Sequence, residues 1–236
     1  MLANFKDRLR QYKTRLPHRV TAPSWHDSCR LLDRYGFRPA MVFDIGVAYG
    51  TFELYREFPD AFYHLIDPTY ESLRHMRSLQ RQLRCQIHQV ALGDRDGEVD
   101  IEIRPDIQAA TLFDDTTERE VLRHDRVPMR RFDRLIDDIA RPSLCKIDVQ
   151  GAELMVLEGM TGSLDDLDAI IVETSTLASL KGGPEVHDIV HFMHEHGFVV
   201  ADIVGMVRRP LDGATAQLDL LFLPRGSPMR LERRWC

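Results

Sequence analysis

The stretch Val42-Phe43-Asp44-Ile45-Gly46-Val47-Ala48-Tyr49-Gly50 decides the fold, since it is an apolar run that ends in an acid and two spaced glycines. A second apolar run, at residues 63–66, leads into Asp67, which stands 23 positions after Asp44. A strand, a glycine turn, a helix and a second strand that ends in a carboxylate form the order in which an open α/β sheet binds a nucleoside. The two runs therefore predict a cofactor-binding enzyme.

Apolar runs alternate with amphipathic stretches along the rest of the chain, as expected for alternating strands and helices. Strands are predicted at residues 41–45, 62–66, 86–91, 144–149, 169–174, 198–204 and 218–223. Helices are predicted at 25–35, 51–57, 71–83, 152–160 and 184–196. No helix separates the last two strands, so they are expected to run antiparallel. The predicted α/β fold is a doubly wound, Rossmann-like, seven-stranded and mostly parallel sheet with an antiparallel last strand, which is the layout of methyltransferases rather than of dehydrogenases.

Between the third and fourth of these strands the pattern is less regular. Ile101 and Ile103 alternate with acids and follow two glycines, which favours a hairpin-like extension at the sheet edge. Residues 106–126 are polar without a consistent period, and we expect a mobile active-site segment there. An amphipathic pattern returns over residues 127–139.

The chain of 236 residues is long enough for one large domain. We expect this domain at residues 31–224, between a basic helical extension at 1–30 and a basic tail at 225–236. Residues 1–20 and 225–236 take 10 of the 31 Lys and Arg residues but 2 of the 37 Asp and Glu residues, which leaves 21 bases against 35 acids between them. Such an acidic body argues against nucleic acid as a partner.

The first residues hold no apolar segment of the secretory kind, and no run approaches the ~20 apolar residues that span a bilayer. The four cysteines lack Cys-x-x-Cys spacing and are interpreted as free thiols. These features predict a cytoplasmic protein without stable membrane insertion. Basic and apolar residues alternate over 5–16, which predicts a solvated helix at the domain edge, with contact to anionic lipid or a partner as the alternative.

The spacing of the glycines narrows the class of cofactor. Gly46 and Gly50 are separated by three residues, unlike the Gly-x-Gly-x-x-Gly pattern that lets a pyrophosphate approach a helix. No Gly-Lys-Ser/Thr motif is present for a triphosphate. A ligand without phosphates, such as S-adenosylmethionine (SAM), suits this turn. Asp44 is then expected to pair with the SAM ammonium group and Asp67 to accept both ribose hydroxyls, while a tight turn at Gly46 without any ligand is the alternative.

A second polar cluster, Lys146-Ile147-Asp148-Val149-Gln150-Gly151-Ala152-Glu153, interrupts a buried strand. Charged residues at the end of a central strand need a partner that offsets their loss of water, and the ligand crevice lies at that end. Asp148 is therefore expected beside the methyl donor, in a catalytic or a cofactor-binding role. Glu153 is a catalytic candidate as well, with a contact to the helix dipole as the alternative.

Glu173 ends the next strand and is expected to face the same crevice. Burial raises the pKa of a carboxyl group, so Glu173 is a candidate general base for a substrate hydroxyl, or else a hydrogen-bonding partner of the substrate. Gln217 and Asp219 precede the last strand and are further candidates for this rim.

No metal site is predicted. His187, His191 and His194 fall at i, i+4 and i+7 on one helix face, but no nearby cysteine or acid pattern completes a zinc site. The helix face is expected instead to be polar or half-buried. Assistance of the reaction by a divalent ion is left open.

The chain resembles the FkbM-type SAM-dependent methyltransferases over residues 30–224. The resemblance lies in the two blocks quoted above and in four shorter ones, Ile66-Asp67-Pro68, Val90-Ala91-Leu92-Gly93-Asp94, Ile171-Val172-Glu173 and Asp219-Leu220-Leu221-Phe222. The stretch 146–159 is the most specific part of the resemblance. It implies a class I methyltransferase fold, SAM as the cofactor and methyl transfer to a hydroxyl of a sugar, glycan or natural product. It also implies a set of residues around SAM, with Ala91 and Leu92 near the adenine and the remainder being Asp44, Gly46, Gly50, Asp67 and Asp148.

The chain departs from the family pattern at two points. Val47-Ala48 follows Gly46 where the common family form has Ala-Asn, so an Asn side-chain contact is absent and the backbone at Val47 is expected to hold the cofactor tail. Asp67 takes the place of a glutamate that is one methylene longer, and it can play the same part.

Two other classes of function stay open. A non-catalytic SAM-fold module could scaffold a partner through the basic N-terminal helix. An NAD-binding oxidoreductase would fit the position of Asp67 but not the glycine spacing. The predicted partner is a small-molecule or glycan acceptor, and the sequence leaves the identity of that acceptor and the oligomeric state open.

Overall fold

The computed structural model describes residues 22–114, 120–177, 179–232 and 234. Its strands, in chain order, are β1 (Met41–Ile45), β2 (Phe62–Ile66), β3 (Arg84–His88), β4 (Ala91–Leu92), β5 (Gly97–Ile103), β6 (Arg123–Arg130), β7 (Ser143–Ile147), β8 (Ala169–Ser175), β9 (Phe198–Arg208) and β10 (Thr215–Pro224). Its α-helices are α1 (Trp25–Arg34), α2 (Phe52–Glu57), α3 (Tyr70–Leu79), α4 (Phe132–Leu135), α5 (Glu153–Gly159) and α6 (Val186–Glu195). Short 3-10 turns lie at Ile107–Ala109, Leu164–Asp166 and Pro228–Arg230.

The main sheet has seven strands in the order β3-β2-β1-β7-β8-β10-β9. Neighbours from β3 to β8 are parallel, and β10 runs antiparallel to both β8 and β9. The predicted α/β sheet, mostly parallel with an antiparallel last strand, is confirmed. The direction in which successive strands are added reverses between β1 and β7, and a ligand crevice forms outside the carboxyl ends of the strands at such a point.

Both faces of the main sheet are covered, which explains the nearly continuous apolar runs of its central strands. Val42 packs into one core cluster and the next residue, Phe43, into the other. Because successive side chains of a strand point to opposite faces, a strand between two layers needs apolar residues at every position. Asp44 and Lys146 interrupt these runs while remaining buried. They mark the carboxyl ends of β1 and β7 as a polar site.

The predicted third strand at residues 86–91 is wrong in its extent. β3 ends at His88, and the chain then enters a second sheet of order β4-β6-β5, in which β4 pairs parallel to β6. Val90, Ala91 and Leu92 are all buried and continue the apolar pattern. Apolar periodicity reports burial and not the partner strand, so it does not reveal this change of sheet.

The sequence pattern does not predict β6, which takes up the end of the polar segment 106–126 and the start of the amphipathic stretch 127–139. Val127 and Met129 are its buried residues, while most of the others are exposed. β6 pairs antiparallel with β5, so the expected edge extension is present, although residues 104–122 rather than a tight turn connect the two strands.

The expected domain limits at residues 30 and 225 fall inside packed structure. Cys29 and Leu32 of α1 belong to the core cluster that also contains residues of β1 and β9. At the other end Met229 packs against the same cluster. Residues 1–21, which include most of the expected basic extension, lie outside the described residues. Within the described part of the chain, none of the helices combines the length with the apolar character needed to cross a membrane.

Candidate active site

A cavity of about 1100 Å³, open to solvent, lies at the carboxyl ends of β1, β2, β7 and β8. It brings together most of the candidates from the sequence, and its lining includes Gly46, Val47, Gly50, Asp67, Ala91, Leu92, Asp148, Glu173 and Asp219. Two expected site residues, Asp44 and Glu153, are not part of its lining. The expected active-site segment at 106–126 contributes residues of its first part to the same cavity, namely Ile107, Gln108, Ala110, Thr111 and Leu112.

The glycine turn after β1 is shaped by close backbone contacts. Gly46 has φ +83°, and a β-carbon on it would lie 1.7 Å from the carbonyl oxygen of Asp148. Ala48 has φ +45°, which is uncommon for a residue other than glycine. Its N–H donates to Asp67 Oδ2 at 2.9 Å. The turn is therefore tied to the ends of both neighbouring strands.

Asp67 is held rigidly at the end of β2. Its Oδ1 accepts hydrogen bonds from the Thr69 N–H at 2.9 Å and from the Thr69 hydroxyl at 2.7 Å. Oδ2 accepts the Ala48 N–H, and a carboxylate oxygen can accept a further hydrogen bond. Because Asp67 lines the cavity, this remaining acceptor capacity is available to a hydroxyl-bearing ligand.

Asp44 lies beneath the cavity and not on its surface. The hydroxyl groups of Tyr55 and Thr51 both donate to its carboxylate, the latter at 3.0 Å. Lys146 Nζ is 3.7 Å from Asp44 Oδ1. Burial raises the pKa of Asp44, and the Lys146 charge and the two hydroxyl donors oppose that rise. Asp44 thus contacts two residues that themselves line the cavity, Thr51 and Lys146.

Lys146 is a site residue that the candidate set from the sequence omits. Its ammonium group lies 3.1 Å from Asp148 Oδ2 and donates to the Gly46 carbonyl oxygen at 3.2 Å. Burial lowers the pKa of Lys146, but the Asp148 and Asp44 carboxylates outweigh it and hold this pKa above its ordinary value. Lys146 is therefore a fixed positive charge. The signal was present in the sequence, since a lysine inside a buried strand requires paired acids.

Asp148 and Glu173 form a half-buried carboxyl pair bridged by one amide. Gln150 Nε2 donates to Asp148 Oδ1 and to Glu173 Oε2, each at 2.8 Å. Gln217 Nε2 donates to the same Glu173 oxygen at 2.9 Å. Burial raises the pKa of Asp148, but the Lys146 charge and three side-chain hydrogen bonds, one of them from Glu173, lower it below its ordinary value. Burial and the Asp148 charge raise the pKa of Glu173 well above its ordinary value.

The two pKa directions separate the roles of these carboxyl groups. The Lys146 charge favours the ionised form of Asp148, whereas burial and the Asp148 charge favour the protonated form of Glu173. Gln150, the bridge between them, has φ +51° and is one of two residues other than glycine with positive φ in the described chain, the other being Ala48. Strained backbone of this kind is common at functional sites. The sequence analysis places Gln150 in the polar cluster but gives it no role, because its partner Glu173 lies on β8, distant in sequence.

Glu153 closes the turn after β7 and does not face the cofactor cavity. Its Oε1 accepts the Val149 N–H at 3.1 Å, and both of its oxygens accept the Gly151 N–H at 3.0 Å. Burial raises the pKa of Glu153 to about 7. The geometry favours the structural alternative for Glu153, as a carboxylate that holds the backbone around Gln150.

Asp219 adds a further acid to the rim. On β10 it stands directly opposite Glu173 of β8, and it lines the cavity. Gly205 on β9 leaves room for it, because a β-carbon there would lie 2.2 Å from Asp219 Oδ2. Burial, followed by the Asp148 charge, raises the pKa of Asp219 to about 6. The cavity end near β8 and β10 is thus rich in carboxyl groups.

The opposite end of the cavity is apolar. Ile66, Val90, Ala91 and Leu92 line it, and all four are buried. The site has groups that fit the three parts of SAM. The apolar end suits the adenine base, the Asp67 carboxylate suits the ribose diol, and the polar groups at the glycine turn suit the amino-acid moiety. The described residues form no group of three or more His, Cys, Asp or Glu side chains that could hold a metal ion.

Comparison with known proteins gives one family match. The methyltransferase FkbM domain matches residues 44–200, which run from the end of β1 into β9. No curated protein matches the chain at a significant level.

Several solved methyltransferase structures are similar to the chain at low sequence identity. Precorrin-6y C5,15-methyltransferase from Geobacter metallireducens is 11% identical, over 84% of this chain and 86% of that one, with a TM-score of 0.46. Magnesium protoporphyrin IX methyltransferase from Synechocystis, solved with bound SAM, is 11% identical over 85% and 77%, with a TM-score of 0.47. The 1,6-didemethyltoxoflavin-N1-methyltransferase from Burkholderia thailandensis is 14% identical over 84% and 76%, also with a TM-score of 0.47.

The family match covers most of the chain, and it contains the glycine turn, Asp67, the Lys146–Asp148 cluster and Glu173. The chain therefore belongs to the FkbM family of SAM-dependent methyltransferases.

Proposed function

We propose that this protein transfers the methyl group of SAM to a hydroxyl group of a sugar, glycan or natural-product acceptor. The observation that carries the proposal is the Asp148–Glu173 pair, because an alcohol must lose its proton as it is methylated. The pair lies at the cavity wall and is held by Gln150. SAM supplies an electrophilic methyl group on a positively charged sulfur, and the remaining requirements fall on the residues of this chain.

In this proposal, three parts of the cavity each bind one part of SAM. Asp67 receives the ribose hydroxyls, since its Oδ2 retains acceptor capacity toward the cavity. Ala91 and Leu92 pack against the adenine. The methionine part lies at the glycine turn, where the backbone that can contact it belongs to Gly46, Val47 and Gly50.

Asp44 acts as a positioning residue in this proposal. The expectation from the sequence was direct pairing with the ammonium group of SAM, but the partners of Asp44 are Tyr55, Thr51 and Lys146. Asp44 therefore fixes Thr51 and Lys146 beside the glycine turn. Lys146 in turn keeps Asp148 ionised.

The proton of the acceptor hydroxyl passes to the carboxyl pair. As the oxygen–methyl bond forms and the sulfur–methyl bond breaks, Glu173 accepts the hydroxyl proton and hands its own proton to Asp148. The pair begins with one proton and one negative charge and ends with two protons and no charge. Because the sulfonium charge disappears in the same step, a cation and an anion are neutralised together in a site of low dielectric.

Two measurements test the proposal. Calorimetry with SAM and with NAD is expected to show binding of SAM alone, and Asp67→Asn is expected to weaken it while the exposed Asp60→Asn leaves it unchanged. A mass-shift screen over glycosides and natural-product alcohols is expected to show the gain of one methyl group on an oxygen. Binding of NAD would point to an oxidoreductase, and binding of neither cofactor would support a scaffold module.

A further inference from the structure

A second cavity, of about 1440 Å³ and open to solvent, adjoins the cofactor cavity. The two share Thr111, Gln150 and Glu173 in their linings. The second cavity continues away from these residues toward the β9–β10 hairpin, where Arg208 and Arg209 complete it. It thus begins at Glu173, one member of the proton-accepting pair, and leads away from the glycine turn and Asp67.

The walls of the second cavity mix hydrogen-bonding groups with apolar ones. Ser175 and Gln217 are on the polar side, and Leu177, Leu180 and Val207 are on the apolar side. A sugar ring presents hydroxyl groups at its edges and C–H groups on its faces, so a lining of this kind suits a polyol.

The charged residues that line the second cavity differ in whether they have a partner. Arg209 is paired with Asp212 at 2.5 Å and is thereby neutralised. Arg208 Nη1 donates to the Gly213 carbonyl oxygen at 2.9 Å, and no carboxylate of the described residues pairs with this guanidinium. The acids at the inner end already have hydrogen-bond donors, since the amides of Gln150 and Gln217 donate to Glu173 and backbone N–H groups donate to Glu153. Among the described residues that line this cavity, Arg208 is thus the arginine without a carboxylate partner.

The strand register gives the separation of Glu173 and Arg208 along β10. On β10, Asp219 stands opposite Glu173, and Thr215 stands opposite Arg208. Four residues of strand separate these levels, which is about 13 Å. A ligand that touches both ends is therefore roughly of disaccharide length.

We propose that the second cavity binds the methyl acceptor, and that this acceptor is an acidic glycan or sugar whose carboxylate or phosphate contacts Arg208 while its hydroxyl lies at Glu173. The inference rests on the proposed function and adds the acceptor site and the acceptor class to it. An acid at the far end would fix the register of the acceptor, since a charge-assisted hydrogen bond from arginine to a carboxylate or phosphate is directional.

The test is calorimetry on the protein loaded with S-adenosylhomocysteine, using three disaccharide probes of one length. They are methyl β-cellobioside, the uronic acid of its far ring and the 6-phosphate of that ring. At least one acid is expected to bind about tenfold more tightly than the neutral probe, which is the ordinary contribution of one charge-assisted hydrogen bond. The acidic probe with the larger increase in affinity over the neutral probe shows whether the carboxylate or the phosphate is the recognised group.

Three variants assign the preference to its residue. Arg208→Gln is expected to abolish the preference for acids, Arg208→Lys to keep part of it, and Arg95→Gln, an exposed arginine outside both cavities, to leave it unchanged. Equal affinity for all three probes, binding of none of them, or a preference that survives Arg208→Gln would overturn the inference. Calorimetry of SAM with the unloaded variants is the separate control, and unchanged binding of SAM there would leave the proposed function standing.

Discussion

The carbonyl oxygen of Asp148 occupies the space that a β-carbon on Gly46 would need, at 1.7 Å from its ideal position. The turn after β1 and the turn after β7 therefore meet through their backbones. The contact joins the two sequence blocks that define the site, and Lys146 strengthens it by donating to the Gly46 carbonyl oxygen.

The first prediction concerns that contact. Gly46→Ala is expected to destabilise the fold by about 3 kcal/mol or more and to abolish SAM binding, because it adds a clash to a backbone conformation with positive φ. Gly226→Ala is the control, since a β-carbon there meets open space. Urea unfolding and calorimetry provide the two readouts, and a Gly46→Ala protein that keeps normal affinity for SAM would contradict the role given to this turn.

Ala48 offers a gain of stability. Its φ of +45° is costly for alanine and is tolerated better by asparagine, the residue of the common family form at this position. Ala48→Asn is expected to raise the free energy of unfolding by about 0.5–1 kcal/mol. Ala40→Asn, at an exposed site without positive φ, is expected to show no gain. Equal effects of the two changes in thermal unfolding would refute the backbone explanation.

Substitutions in the carboxyl pair are expected to lower turnover while the protein still binds SAM. Glu173→Gln and Asp148→Asn are each expected to lower kcat on the acceptor found in the screen by roughly 10²-fold or more, because an amide cannot relay the proton. The double variant is expected to lose little more than either single variant, as for residues that act as one unit. Full turnover of Glu173→Gln with SAM bound would remove Glu173 from the proton path.

Stability is expected to fall in mild acid through His64. Burial, followed by the charge of His88, lowers the pKa of His64 from 6.5 to about 4. Between these pH values the unfolded chain binds more protons than the folded one, so the free energy of unfolding decreases as the pH falls through the window. The loss is on the order of 2 kcal/mol.

Urea unfolding at pH 7 and pH 4.5 checks the prediction for His64. His64→Gln is expected to reduce the pH dependence, whereas His187→Gln, with an exposed side chain, is expected to leave it unchanged. If both variants retained the dependence of the unaltered protein, other groups would be its source.

The sequence predicted the main sheet well, because the buried parallel strands of this chain have apolar sequences that end in polar residues. The prediction from the sequence failed where a strand buries only one of its faces, and where the chain passes from one sheet to another. β6 has two buried residues among exposed ones, and the chain passes from β3 to β4 with no break in the apolar pattern. In both places the pairing comes from residues distant in sequence, which local periodicity does not contain.

By itself the sequence determined the class of fold, the family and the strand ends that carry the site, since each depends on short stretches with their own periodicity and motifs. Only the tertiary structure decided what the polar residues touch. It placed Asp44 under Lys146 and turned Glu153 to the backbone of its own turn. It also joined Asp148 to Glu173 through Gln150 and brought Arg208 to the far end of a second cavity. The physical reason is that a buried charge takes its stability and its pKa from groups on neighbouring strands, and folding alone brings those groups into contact.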